Sequence, residues 1–98
     1  MNYEKSEDGK TLRVVLAGEV DSLNAAEIEG TLLKLLDGVT ELIFDLTGLE
    51  YISSAGLRMM LGIQKTMQSQ GNMCLTNTNE EVMEIFKVTG FSRLLNIV

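Results

Sequence analysis

The chain contains no histidine. Without an imidazole there is no Ser-His-Asp or Cys-His nucleophile, the commonest general base is missing, and no ordinary zinc constellation can be assembled. Most hydrolase and metalloenzyme readings end there. Proline is also absent, which fits a compact domain without a proline-rich recognition tail. Cysteine occurs once, in Met73-Cys74-Leu75, so no internal disulfide can form, and the apolar setting suits a buried strand thiol better than a reactive one. Basic residues are few: eight Lys plus Arg stand against fourteen Asp plus Glu, a formal charge of −6. Phosphate backbones demand a basic surface, so the balance argues against direct nucleic-acid binding and favours a basic or mixed protein partner. No apolar run approaches the roughly 20 residues of a membrane helix, and Met1-Asn2-Tyr3-Glu4-Lys5 lacks a basic-then-apolar signal pattern. The expectation is a soluble cytoplasmic protein with no direct membrane insertion, no cofactor and no catalytic residues of its own.

What is present is 98 residues, 45% of them hydrophobic, enough for one core and too few for two. A single domain over 1–98 follows. Asn2 to Ser6 and Thr11 to Ala17 read as strands of a hairpin joined by Glu7-Asp8-Gly9-Lys10, in which Asp8-Gly9 is the dipeptide a tight turn prefers. Gly18 to Leu23 leave the second strand, and Asn24 with Glu27 has the spacing of a capping box for a helix whose stripe is Ala25, Ile28, Leu32, Leu35 and Leu36, stopped at Asp37-Gly38. Thr40 to Leu46 is a strand, and the helix before it makes a parallel crossover unit. A short loop then leads to a helix from Ser54 to about Ser69, followed by a strand Met73 to Thr76, a short helix capped near Asn79, and a tail or short strand from Leu94. The fold class is α/β, a mixed sheet of four to five strands packed by three to four helices.

The stretch Asp45 to Leu57 organises the rest. Ser53 or Ser54 stands where an N-cap hydroxyl accepts from free backbone N–H groups, and a phosphate placed there gains those N–H groups and the favourable end of the helix dipole. Capping and phosphorylation are compatible. Asp21 and Asp45 both fall at expected strand ends, where they either converge beside the serine as a phospho-acceptor or carboxylate site or serve as loop-fixing acceptors. On the helix after Ser54, Arg58, Gly62, Lys65 and Ser69 lie opposite the stripe Leu57, Met60, Leu61 and Met67, with Met59 and Ile63 at the border. Gly62 admits a closely approaching partner or packs against a neighbouring segment, and Met59 with Ile63 forms an apolar patch or completes the core.

The run DLTGLEYISSAGLRMMLG, Asp45 to Gly62, resembles the signature of the STAS family, shared by sulphate transporters and bacterial anti-sigma-factor antagonists. GEVD at Gly18 to Asp21 and EIFKVTGFSRLLNI near the end are similar to further stretches of that family, so the resemblance spans the chain. It implies a partner switch. The unmodified protein would bind an anti-sigma factor that is also a serine kinase and so release a sigma factor, while phosphorylation of Ser54 would end binding and a phosphatase would reset it. The family frequently has aspartate before the acceptor where this chain has Ser53, which keeps Ser53 as the alternative acceptor. Asp21, Ser53, Ser54, Arg58, Met59, Gly62 and Ile63 are the expected partner-binding residues. The same domain type also serves as an accessory subunit of membrane transport ATPases without a phosphoswitch.

Overall fold

The structure is a computed structural model that describes residues 1–98. Strands β1 (Asn2–Lys5), β2 (Thr11–Val20), β3 (Glu41–Ile52) and β4 (Asn72–Thr76) form one sheet in the order β1-β2-β3-β4. The β1–β2 pair is antiparallel, and β2–β3 and β3–β4 are parallel. Helices α1 (Ala25–Leu35), α2 (Ser54–Gln68) and α3 (Glu80–Val88) follow β2, β3 and β4. Because the strand order advances in one direction, right-handed crossovers place α1 and α2 on the same face of the sheet. Alternation along β2 reflects this: Leu12, Val14 and Leu16 are buried beneath the helices, while Arg13 and Ala17 remain exposed on the other face. All the helices start at the carboxyl edge of the parallel strands, where ligands and partners of open α/β sheets gather.

The hairpin connection expected at Glu7 to Lys10 also takes in Ser6, since β1 ends at Lys5. Ser6 to Lys10 form a loop in which the Asp8 carboxylate accepts the Ser6 hydroxyl at 2.6 Å and the Lys10 N–H at 3.0 Å. Those two bonds, the hydroxyl's first, lower the Asp8 pKa. Local side-chain bonding thus holds the loop, with Gly9 at φ 74° closing it.

The two central strands also run further than their sequences suggest. β2 continues through Gly18 to Val20, and β3 does not stop at Leu46 but continues to Ile52. Two irregularities explain why this was hidden. Val15 pairs with Asp45 but Ala17 with Gly48, and Gly18 pairs with Leu49 but Glu19 with Tyr51, so β3 holds an extra residue at each step. Each bulge resets the side-chain alternation. Leu46, Leu49 and Ile52, three apart, therefore all face the core.

The α1 stripe is as expected, with Ala25, Leu32 and Leu36 buried and Ile28 and Leu35 packed against the core. Its capping box does not form, because Asn24 is diverted: its Oδ1 accepts the Asp21 N–H at 2.9 Å and its Nδ2 donates to the Glu19 carbonyl at 2.8 Å. In α3, Asn79 does cap, accepting the Val82 N–H at 2.8 Å, and its Nδ2 donates to the Leu49 carbonyl, tying α3 to β3. The C-terminal tail pairs Ile97 with Leu75 as a single parallel bridge along β4. No helix is long and apolar enough to cross a membrane.

Candidate functional site

The two serines at the end of β3 are separated in role by the geometry. Ser53 is the N-cap of α2: its backbone is extended (φ −87°, ψ 176°) and its hydroxyl oxygen accepts the Gly56 N–H at 3.3 Å. Its own N–H donates to the Val20 carbonyl at 2.8 Å, which welds the helix start to the end of β2. Ser54 is the first helical residue and is exposed, with its hydroxyl free of capping duty. Its N–H and that of Ala55 precede the first intrahelical bonds and point outward from the helix end. The expectation that a serine hydroxyl is displayed at a helix start is met at Ser54.

Close packing holds that start in place. A Cβ on Gly56 would lie 2.6 Å from Ile52 Cγ1, 2.9 Å from Val20 Cγ1 and 3.1 Å from the Val20 carbonyl oxygen. Glycine at this position lets α2 sit directly on the ends of β2 and β3, which fixes the height of Ser54 above the sheet edge. Sequence reasoning passed over Gly56, although a glycine in the first turn of an otherwise regular helix signals close approach.

Asp21 lies beside the serines, since the Val20 carbonyl that receives Ser53 belongs to the Val20–Asp21 peptide. Its side chain fixes the β2–α1 turn by accepting the Leu23 N–H at 2.9 Å. Asp45 lies elsewhere. It pairs with Val15 and Thr76, seven residues before Ile52 and so roughly 20 Å down the strand from Ser53. Its carboxylate accepts the Thr47 hydroxyl and N–H and the Asn77 Nδ2, and it pairs with Arg13. These partners, the Thr47 bonds foremost, hold its pKa down at about 2. The two aspartates do not converge, because β3 continues past Asp45 instead of leaving the sheet there. A joint carboxylate site at the serine is thereby ruled out.

The border residues of α2 are corrected as well. Met59 and Ile63 are 2% and 0% exposed, in the core with Met60 and Met67, whereas Leu61 is only partly buried. The inward face is therefore rotated towards Met59 and Ile63, and no apolar patch exists there. Gly62 faces α1: a Cβ on it would sit 2.8 Å from Glu29 Oε2, so its neighbour is the Glu29 side chain. Arg58 is exposed, one helical turn beyond Ser54.

Charge at this edge is mostly acidic, with Arg58 the exception. Glu27 stands in the first turn of α1 and Glu80 with Glu81 in that of α3, while the last turns carry Lys34, Lys65 and Lys87, the arrangement that complements helix dipoles. The first turn of α2 has no acid. Glu50, Glu80 and Glu81 with Asn79 line a shallow depression between β3 and α3. One residue of the β2–α1 turn escaped the sequence reading. Leu23, 91% exposed, stands out from the β2–α1 turn, and the signal for it is a large apolar side chain belonging to neither the strand nor the helix periodicity.

The STAS domain profile matches residues 2–98. This chain belongs to the STAS domain family. Within it, this STAS domain is 41% identical over 78 residues to BtrV of Bordetella bronchiseptica, named a candidate anti-sigma factor antagonist, covering 78% of this chain and 67% of that protein. It is 26% identical over 98 residues to the anti-sigma-B factor antagonist of Bacillus subtilis, covering 99% of this chain and 90% of the relative. The fold is shared with the antagonist SpoIIAA. Its unphosphorylated form superimposes with a TM-score of 0.76 at 19% identity, over 99% of this chain and 86% of that one. For its phosphorylated form the TM-score is 0.73 at 19% identity, with 99% and 91% covered.

Proposed function

We propose that this STAS domain is an anti-sigma-factor antagonist switched by phosphorylation of Ser54. The observation that carries the reading is the division of labour at the start of α2, where Ser53 caps and Ser54 offers an exposed hydroxyl. Unmodified, the edge made by the β2–α1 turn and the start of α2 binds an anti-sigma factor that is also a serine kinase, and the sigma factor is set free. The chain acts by occupying its partner, in the cytoplasm, and supplies no catalysis.

Phosphorylation works at contact range. A phosphate adds about −1.5 to −2 charges at neutral pH. The fold tolerates it, since the free N–H groups and dipole of α2 favour an anion and no acid competes in its first turn. The complex does not. A kinase must bring its nucleotide phosphates to the Ser54 hydroxyl, so after transfer the new phosphate faces the remaining diphosphate, and like charges in a desolvated interface repel. A separate phosphatase restores binding.

The test uses the purified chain, its cognate anti-sigma factor kinase and ATP. Mass spectrometry is expected to find one phosphate that is lost in Ser54→Ala, and titration calorimetry to find binding by the unmodified chain and by Ser54→Ala but not by Ser54→Asp. Equal binding by Ser54→Ala and Ser54→Asp, with no phosphate taken up, overturns the switch and leaves a constitutive binding module of the transport-accessory kind.

A further inference from the structure

Leu23 is the most exposed large apolar side chain of the molecule, at 91%, yet the turn that carries it is tightly built. Its own N–H donates to Asp21 Oδ1 at 2.9 Å. The Asp21 N–H reaches Asn24 Oδ1 at 2.9 Å, Asn24 Nδ2 reaches the Glu19 carbonyl at 2.8 Å, and the Asp21 carbonyl accepts from both Asn24 and Ala25. The structure spends its polar groups on holding an apolar side chain in water. Val88 and Val98, 73% and 70% exposed, differ in lying at a helix end and at the last residue. A single exposed leucine needs no explanation by itself; one held rigidly beside a displayed serine does.

Position and charge identify what covers it. Leu23 is three residues beyond Val20, whose carbonyl holds the Ser53 N–H, so its backbone stands no more than about 14 Å from the start of α2. Glu19 and Asp21 flank it in sequence, and Glu27 begins the next helix. The lysines of the helices collect in their last turns, at the opposite edge, and Arg58, one turn beyond Ser54, is the exposed base of α2 on this side. An apolar centre within an acidic rim matches the complementary pattern, an apolar recess ringed by lysine or arginine.

Resting on the antagonist reading, we infer that Leu23 is the apolar anchor of the anti-sigma factor interface, inserting into an apolar recess bordered by basic residues on that partner. It takes the place expected for Met59 and Ile63, which the core has claimed. Rigidity in the free state lowers the ordering cost of docking, so the anchor acts mainly on the lifetime of the complex. The acidic rim acts on encounter and is screened by salt.

Surface plasmon resonance against the cognate anti-sigma factor kinase with ADP tests this, using the full chain and Leu23→Ala, Val88→Ala and Ser54→Asp variants, each first checked for native circular dichroism. Leu23→Ala is expected to weaken binding about tenfold or more, chiefly through faster dissociation. Val88→Ala is expected to bind as the unchanged chain does, and raising NaCl from about 0.05 to 0.5 M to slow association. Binding by Leu23→Ala within twofold of the unchanged chain, while Ser54→Asp fails to bind, overturns the anchor and leaves the switch standing. Absence of binding by the unchanged chain overturns the antagonist reading and the anchor with it.

Discussion

The Ser53 hydroxyl oxygen accepts the Gly56 N–H at 3.3 Å, and this one bond assigns different work to two adjacent serines. Ser53→Ala leaves that N–H without its side-chain partner, and loss of an N-cap typically costs about 1 kcal/mol. Ser54→Ala removes an exposed hydroxyl that bonds nothing in the fold, so its effect stays within about 0.5 kcal/mol. Urea unfolding of both variants is expected to show that order. Incubation with the kinase and ATP is expected to show the converse for phosphate uptake, retained by Ser53→Ala and lost by Ser54→Ala. Reversal of the uptake pattern would move the acceptor to Ser53.

Two glycines in helices predict opposite outcomes for the same substitution. A Cβ at Gly56 meets Ile52 and Val20 at 2.6 and 2.9 Å, within the joint between α2 and the sheet, so Gly56→Ala overpacks it and destabilises by about 1–3 kcal/mol. Gly30, in mid-α1, has nothing within 4 Å of such a Cβ. Alanine there removes the entropic cost of a helical glycine, and Gly30→Ala should stabilise by about 0.5–1 kcal/mol. Denaturant midpoints shifting in opposite directions would bear out both; equal shifts would contradict the packing drawn at Gly56.

Which parts of this were legible in the sequence follows from the period each segment keeps. Leu12, Val14 and Leu16 alternate without interruption, and Ala25, Ile28, Leu32 and Leu36 keep helical spacing, so Thr11 to Ala17 of β2 and the stripe of α1 could be placed from residues alone. The later half of β3 could not. Its bulges put Leu46, Leu49 and Ile52 at intervals of three, which reads as a loop, and so Asp45 seemed to be a strand end and a neighbour of Asp21. Met59 and Ile63 were misplaced for a related reason. A helix that packs on a sheet and also against a neighbouring helix buries a face wider than one stripe, and periodicity does not give that width. Ser54 survived these errors because a cap and a following helix are local features.

Asp45 makes a pH prediction. Its pKa is lowered from 3.8 to about 2 in the fold, so the folded state favours the ionised carboxylate more than the unfolded chain does. That contribution is complete above about pH 4 and disappears as pH falls through about 2. Asp45→Asn lacks the charge at every pH. Its stability deficit relative to the unchanged chain should therefore be largest near neutrality and shrink between about pH 4 and pH 2, followed by urea unfolding at stepped pH. A deficit that stays constant over that interval would mean that the bonds from Thr47 and Asn77 do not depend on ionisation.

The placement of Arg58 predicts how the phosphorylated form is held. Residues four apart on a helix face one another, and Ser54 and Arg58 are both exposed. A phosphate on Ser54 is therefore within reach of the only guanidinium on α2, and such pairs form charge-assisted bonds that are stronger the more fully the phosphate is ionised. Phosphorylation then adds negative charge and at the same time withdraws Arg58 from the partner. Phosphorus NMR titration of the phosphorylated chain should place the second phosphate ionisation below its ordinary value of about 6, and Arg58→Gln should move it back up by roughly 0.3 unit. Superimposable titration curves for the two proteins would show that Arg58 leaves the phosphate to the helix N–H groups and stays available to the partner in both states.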